Sequence, residues 1–316
     1  MIKPKAVKKG STFGIVAPAS RPNNDEALPK GKAAFEQLGF RTKVFPHVHD
    51  WHLGYLAGRD ADRAADLNAA FADPEVDAII CVRGGYGCHR IIDKLDYDSI
   101  RKNPKLLIGY SDITALHVAL GMYADLVTFH GPMISSEFAA GVSDFTRDNF
   151  LRAVSSTEAL GALPADPQGP EPVTIRPGRA GGPLIGGNMA LVTDLFGTPY
   201  EIDTTGKILL LEEIGDEPYQ FDRVLQQLLL SGKAQAAAGI VIGQCADCEH
   251  VEGRSGYSRS APLVEVVRDS FGGLNLPVLY NVPFGHIKNI WTLPIGAQAT
   301  LDADAKTLSL DEPGVA

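Results

Sequence analysis

Four short stretches carry groups of the kind that acyl transfer uses. In "KLLIGYSDITALHVAL" (105–120) an apolar, β-prone run stops at Gly109-Tyr110, Ser111 follows, and a helical pattern begins at once. A hydroxyl at such a junction is exposed, and N–H groups at the start of the helix could stabilise an oxyanion. The alternative is that Ser111 or Asp112 only caps the helix. The G-x-S-x-G pattern of a nucleophile elbow is half met, since "GYSDI" has Ile113 where the last glycine belongs.

A nucleophilic serine needs a base and an acid to orient that base. His117 is too close in sequence, six residues along the helix and on another face. His286 ends "PVLYNVPFGH", directly after Pro-Phe-Gly, and so stands at another strand terminus; the alternative is a turn histidine bonded to backbone. The acid candidates, Glu212 and Glu213, close the apolar strand "ILLLEE". Strand alternation puts them on opposite faces, so only one can serve a given site. In "CVRGGYGCHR" (81–90), Gly84, Gly85 and Gly87 follow a buried strand and allow close backbone approach to a ligand. The stretch is neither G-x-G-x-x-G nor a phosphate loop, but a glycine N–H aimed at an oxyanion fits it.

Metal chemistry has weaker support. His47, His49 and His52 share the loop "FPHVHDWHLGY" without an evident acidic or cysteine partner. "CADCEH" (245–250) has one CxxC and no second pair, so Cys245 and Cys248 read as incidental thiols. No metal and no cofactor is expected.

These residues must be held by a sizeable framework. At 316 residues, two domains are the natural expectation, and 45% hydrophobic with 21% charged residues is the composition of a globular protein. A formal charge of −9 argues against nucleic acid or an anionic membrane as partner, though a local basic pocket could still hold a carboxylate. The N-terminal "MIKPKAVKKGSTFGIVAPAS" lacks the apolar run of a signal peptide, and no segment is long enough to span a membrane, so the expected location is cytoplasmic. Four cysteines do not make a disulfide framework.

Residues 1–155 alternate strand-like segments (12–17, 41–45, 76–82, 105–110, 126–130) with helical ones (25–38, 60–73, 87–95 and from 112), which predicts βαβ units and a parallel sheet. Asp60 or Asp62 is placed to cap the second helix. Residues 156–187, dense in Pro and Gly, read as an interdomain connection. A second α/β domain follows over 188–316, with helices near 188–195 and 219–232, strands at 207–214, 238–244 and 277–284, and a closing hairpin around "DADAK".

Taken together, "GIVAPAS", "GYLAGRDADRAADLNAAFADPEVDAIICVRGGYG", "GYSDITAL", "FHGPM", "GGN", "LLLEEIGDEPYQFDR" and "NVPFGH" occur in an order that resembles the LD-carboxypeptidase family of serine peptidases, which includes microcin C self-immunity proteins. The resemblance runs from about residue 10 to 300. It implies an N-terminal flavodoxin-like domain and a smaller C-terminal α/β domain with the active site in the cleft between them. It also implies a Ser111–His286–Glu212 triad, with Glu213 as the second acid of the motif. The N–H groups of Asp112 and Gly85 would form the oxyanion hole, and Asp112 would cap the helix rather than act as an acid. The implied substrate is a murein tetrapeptide cut before its terminal D-Ala by a homodimer. Arg83, Gly84 and Lys288 adjoin the two loops and are the candidates for binding it. Arg223 reads as structural. In the immunity-type alternative, which cleaves peptidyl-nucleotide amides, Trp291 or Tyr257 would have to stack a base.

Overall fold

The computed structural model describes residues 1–254 and 256–316, and the chain forms two compact units. The first comprises Met1–Ala159, Ile290–Gly296 and Pro313–Ala316. Its strands are β1 (Thr12–Val16), β2 (Arg41–Val44), β3 (Ala78–Cys81), β4 (Leu106–Gly109) and β5 (Thr128–His130). They lie in the order β5-β4-β3-β1-β2, all parallel, and Leu293–Ile295 pairs antiparallel with the outer side of β5. That order is the flavodoxin-like one expected from the alternation of elements. Strands β1, β3 and β4 are buried throughout, because helices cover both faces of such a sheet and leave no strand position for water. The helices are α1 (Ala27–Gln37), α2 (Asp60–Ala72), α3 (Tyr97–Lys102), α4 (Thr114–Ala124) and α5 (Asp144–Ser155). Phe13, Phe35, Phe138 and Phe150 pack edge to face on one side, with Phe13–Phe35 and Phe35–Phe138 centroids each 4.7 Å apart.

Helix α2 departs from its expected capping. Arg59 is the N-cap and supplies no side-chain bond, while Asp60 and Asp62 lie inside the first turn, where the helix dipole favours them. Asp60 instead accepts from Arg63 at 2.5 Å and from Arg90 at 2.9 Å.

The second unit comprises Leu160–Asn289 and Ala297–Glu312. Its strands are β6 (Gly161–Ala162), β7 (Val173–Arg176), β8 (Arg179–Asn188), β9 (Ile208–Glu212), β10 (Gly239–Gly243) and β11 (Val278–Val282). After the Leu293–Ile295 strand, counted as β12, the hairpin β13 (Gln298–Asp302) and β14 (Thr307–Leu310) completes the set. The order is β6-β14-β13-β8-β9-β10-β11-β7, with β8 to β11 parallel and the remainder antiparallel. Helices α6 (Met189–Asp194), α7 (Pro218–Leu230), α8 (Lys233–Ala236) and α9 (Leu263–Phe271) belong to this unit. Glu217 and Gln220 close a capping box at the start of α7, with Pro218 in its first turn.

Residues 156–187 are therefore not an interdomain connection. They hold β6, β7 and most of β8, and β8 pairs antiparallel with β13 through 179–183 and then parallel with β9 through 184–188. Backbone pairing of this kind needs no side-chain periodicity, which is why a Pro/Gly-rich stretch could hide it. The expected C-terminal domain likewise gives up 290–296 and 313–316 to the first unit. Among the described residues no helix is long and apolar enough to cross a membrane.

Candidate active site

In the first unit, β4 ends at Gly109, Tyr110 continues extended, and Ser111 turns the chain at φ 63° into a short 3₁₀ turn that leads into α4. The left-handed region costs a residue with a Cβ on the order of 1 kcal/mol, so neighbours must hold the serine there. One neighbour is Gly84, where a Cβ would stand 2.8 Å from the Ser111 Cβ and 3.0 Å from its Oγ. Only glycine lets the "RGGYG" loop lie this close to the serine. The residue that replaces the last glycine of the elbow motif, Ile113, packs on Gly109, where an added Cβ would meet Ile113 at 2.8 Å. The close contact that the motif secures C-terminal to the serine is here made possible by a glycine on its N-terminal side.

Asp112 is not a helix cap. The residue preceding α4 is Ile113, which makes no capping bond, and Asp112 is 1% exposed. Its Oδ2 accepts the Cys88 N–H at 2.8 Å, which ties the serine turn to the loop that carries Gly84 and Gly85. Its Oδ1 is buried without a hydrogen-bond partner among the described residues. Tyr110 donates its hydroxyl to Glu137 at 2.7 Å, and Glu137 accepts the Met133 N–H at 2.8 Å.

His117 is structural. Its Nε2 donates to the Gly109 carbonyl at 2.9 Å and its Nδ1 accepts from the Thr128 hydroxyl at 2.9 Å, so the neutral ring joins the ends of β4 and β5. Complete burial pushes its pKa down from 6.5 to about 4. Sequence reading missed Arg63, which is 1% exposed on the buried face of α2. Its Nη1 donates to the Pro18 carbonyl and, at 2.9 Å, to the Gly87 carbonyl, bracing the glycine loop from behind. The available signal was an arginine four and seven residues before Leu67 and Ala70, in register with the apolar stripe.

The second unit holds the acid–base pair. Glu212 ends β9 with 0% exposure, and its Oε2 accepts the His286 Nδ1–H at 2.8 Å. Gly285, at φ 112°, permits this approach: a Cβ there would stand 3.0 Å from the same Oε2. Glu213 faces the other way, accepting from Asn188 at 2.9 Å, the Ile214 N–H at 2.9 Å and the Ala190 N–H at 3.1 Å. Burial raises its pKa. It anchors the start of α6, and the parity argument is met by β9 as built.

The structure brings Arg83, Gly84, Gly85, Ser111 and Asp112 together at one edge of the first unit. It joins Glu212 to His286 in the second, where Lys288 lies exposed two residues further on. The histidine loop does have acidic neighbours, contrary to expectation. Asp66 accepts from His47 Nδ1 at 2.8 Å, and potential ligand atoms of His47, Asp50 and Asp62 lie within 4.8 Å of one another. Cys248 is buried and donates to the Ala246 carbonyl at 3.3 Å, and the Cys248 thiol raises the pKa of Cys245 well above its ordinary value.

Comparison with known proteins follows the same division. Residues 13–131 match the family profile of the LD-carboxypeptidase N-terminal domain, and residues 181–301 that of the LD-carboxypeptidase C-terminal domain. A probable murein peptide carboxypeptidase of Bacillus subtilis is 40% identical over 310 residues, covering 98% of this chain and 94% of that protein. The murein tetrapeptide carboxypeptidase of Pseudomonas aeruginosa is 31% identical over 273 residues, 82% of this chain and 85% of that one. Among solved structures, an MccF-like protein from Bacillus anthracis superposes with a TM-score of 0.87 at 30% identity, over 99% of this chain and 100% of its own.

Proposed function

The chain belongs to the LD-carboxypeptidase family, and on that premise we propose that it is a serine peptidase releasing the terminal D-Ala of murein tetrapeptides in cytoplasmic cell-wall recycling. The observation that carries this reading is Ser111, a non-glycine residue held at φ 63° on a strand–helix junction with Gly84 against its side chain. A mere helix cap needs no such conformation, since N-cap residues are ordinarily extended. The buried Glu212 carboxylate on His286 Nδ1 supports it from the second unit.

In this mechanism His286 Nε2 takes the Ser111 proton as Oγ attacks the scissile carbonyl, and returns it to the leaving amine. Glu212 fixes the tautomer and stabilises the imidazolium. The N–H groups of Gly85 and Asp112 meet the oxyanion, and water resolves the acyl-enzyme. Every step uses groups of this chain.

The immunity-type alternative draws less support from the aromatic residues. Trp291 is 3% exposed and cannot offer a face to a base, which leaves Tyr257, exposed beside Tyr219 with ring centroids 5.1 Å apart. The test is mass spectrometry of L-Ala-D-Glu-meso-diaminopimelate-D-Ala incubated with the protein and with Ser111→Ala. Loss of one alanine with the wild type alone is expected. Cleavage by both would leave Ser111 without a catalytic role. An inert tetrapeptide beside a cleaved peptidyl-adenylate would favour the alternative.

A further inference from the structure

Beside the glycine loop the first unit opens a cavity of about 400 Å³, lined among others by Ser20, Arg21, Asn23, Trp51, Tyr55 and Arg83. None of its lining residues is acidic, in a protein whose formal charge is −9. Arg83 is half-buried and makes no ion pair or side-chain hydrogen bond among the described residues. Burial lowers its pKa, the mark of a cation that has lost water without gaining an anion. Arg21 lies over the Trp51 ring, 5.7 Å from its centroid, and its ion pair to the almost fully exposed Asp25 is stretched to 4.0 Å. Two guanidinium groups with a polar amide and two aromatic walls form a receptor for one carboxylate.

The place of Arg83 selects which carboxylate. The residue directly precedes Gly84, whose backbone touches Ser111, and its Nη2 lies 3.7 Å from where a Cβ on Gly85 would stand. With the scissile carbonyl oxygen on the Gly85 N–H, a group one residue beyond the scissile bond lies only about 4 Å further on, roughly one Cα–Cα step. Resting on the peptidase reading above, we propose that this cavity receives the free C-terminal carboxylate of the substrate, with Arg83 as its main partner and Arg21 as the second. Arg83 would thereby restrict the enzyme to removing a single terminal residue.

The test compares kcat/KM on the tetrapeptide and on its C-terminal amide, for the wild type, Arg83→Gln, Arg83→Lys and Arg21→Gln. The wild type should favour the free acid by about 50-fold, the range of a charge-assisted pair. Arg83→Gln should lose that factor on the acid, chiefly through KM, until acid and amide are cleaved at similar rates, and an unchanged melting temperature should report a folded protein. Arg83→Lys should recover part of the preference, because it keeps the charge without the planar fork, and Arg21→Gln should lose a smaller part of it. Equal wild-type rates on acid and amide, or an equal loss on both in Arg83→Gln, would overturn this assignment and leave the peptidase reading standing. Cleavage of neither by the wild type would overturn both.

Discussion

Ser111 and His286 both stand just beyond parallel strands, yet the first is positioned by backbone and the second by a side chain. On the serine side a left-handed φ, the packing of Gly84 and Gly109, and the Asp112–Cys88 bond fix where Oγ lies. On the histidine side a wholly buried carboxylate fixes the ring, and Gly285 only clears space for it. A nucleophile must stand at one point, whereas a base must keep one tautomer while its charge changes. In the proposed mechanism, conformational strain secures the first, and the buried Glu212 side chain secures the second.

The largest consequence concerns that partner. Glu212→Gln should reduce turnover about 10⁴-fold, since a neutral amide neither selects the tautomer nor stabilises the imidazolium. Glu213→Gln should stay within several-fold of wild type, with its cost appearing in thermal stability. Steady-state kinetics on the tetrapeptide checks both, and the reverse pattern would exchange the roles of the two carboxylates. Gly84→Ala should cost about 100-fold in kcat by displacing the serine, a loss that small shifts of reacting groups commonly produce. A rate within a few-fold of wild type would mean that the loop yields and the comparison is drawn too sharply.

His117 makes the serine side sensitive to acid. Its folded pKa of about 4 lies below the unfolded 6.5, so the unfolded chain binds the extra proton and stability falls as pH drops through that window. From pH 7 to 4.5 this group should remove about 2.5 kcal/mol, and His117→Gln should lack that component in denaturant unfolding at the two pH values. Parallel pH dependence in both proteins would contradict it. The smallest effect is a gain: Ser111→Gly should raise stability by about 1 kcal/mol while abolishing turnover, because glycine occupies the left-handed region without strain. Unchanged or lower stability would show that Ser111 is relaxed where it stands.

Much of this arrangement was legible in the chain. The five parallel strands of the first unit follow from alternating patterns, and Ser111, His286 and the pair Glu212–Glu213 draw attention because each interrupts an apolar segment near its end. The parity of β9 put Glu212 and Glu213 on opposite faces without any contact being known, and the family resemblance chose Glu212. What stayed hidden depends on partners far along the chain. Asp112 reads as a local cap until Cys88, 24 residues earlier, donates to it. Residues 156–187 read as linker until β9, β11, β13 and β14 supply their ladders. Arg63 carries no evident role in the sequence until the Pro18 and Gly87 carbonyls meet it.

The most direct test of the proposed Ser111–His286–Glu212 triad is a double-mutant cycle on D-Ala release from the tetrapeptide. Ser111→Ala and His286→Ala should each lower kcat/KM by about 10⁴-fold or more, and the double variant should be no slower than either single one by more than about threefold, as residues that act as one unit behave. Losses that multiply, or a His286→Ala protein that retains most of its activity, would contradict the triad.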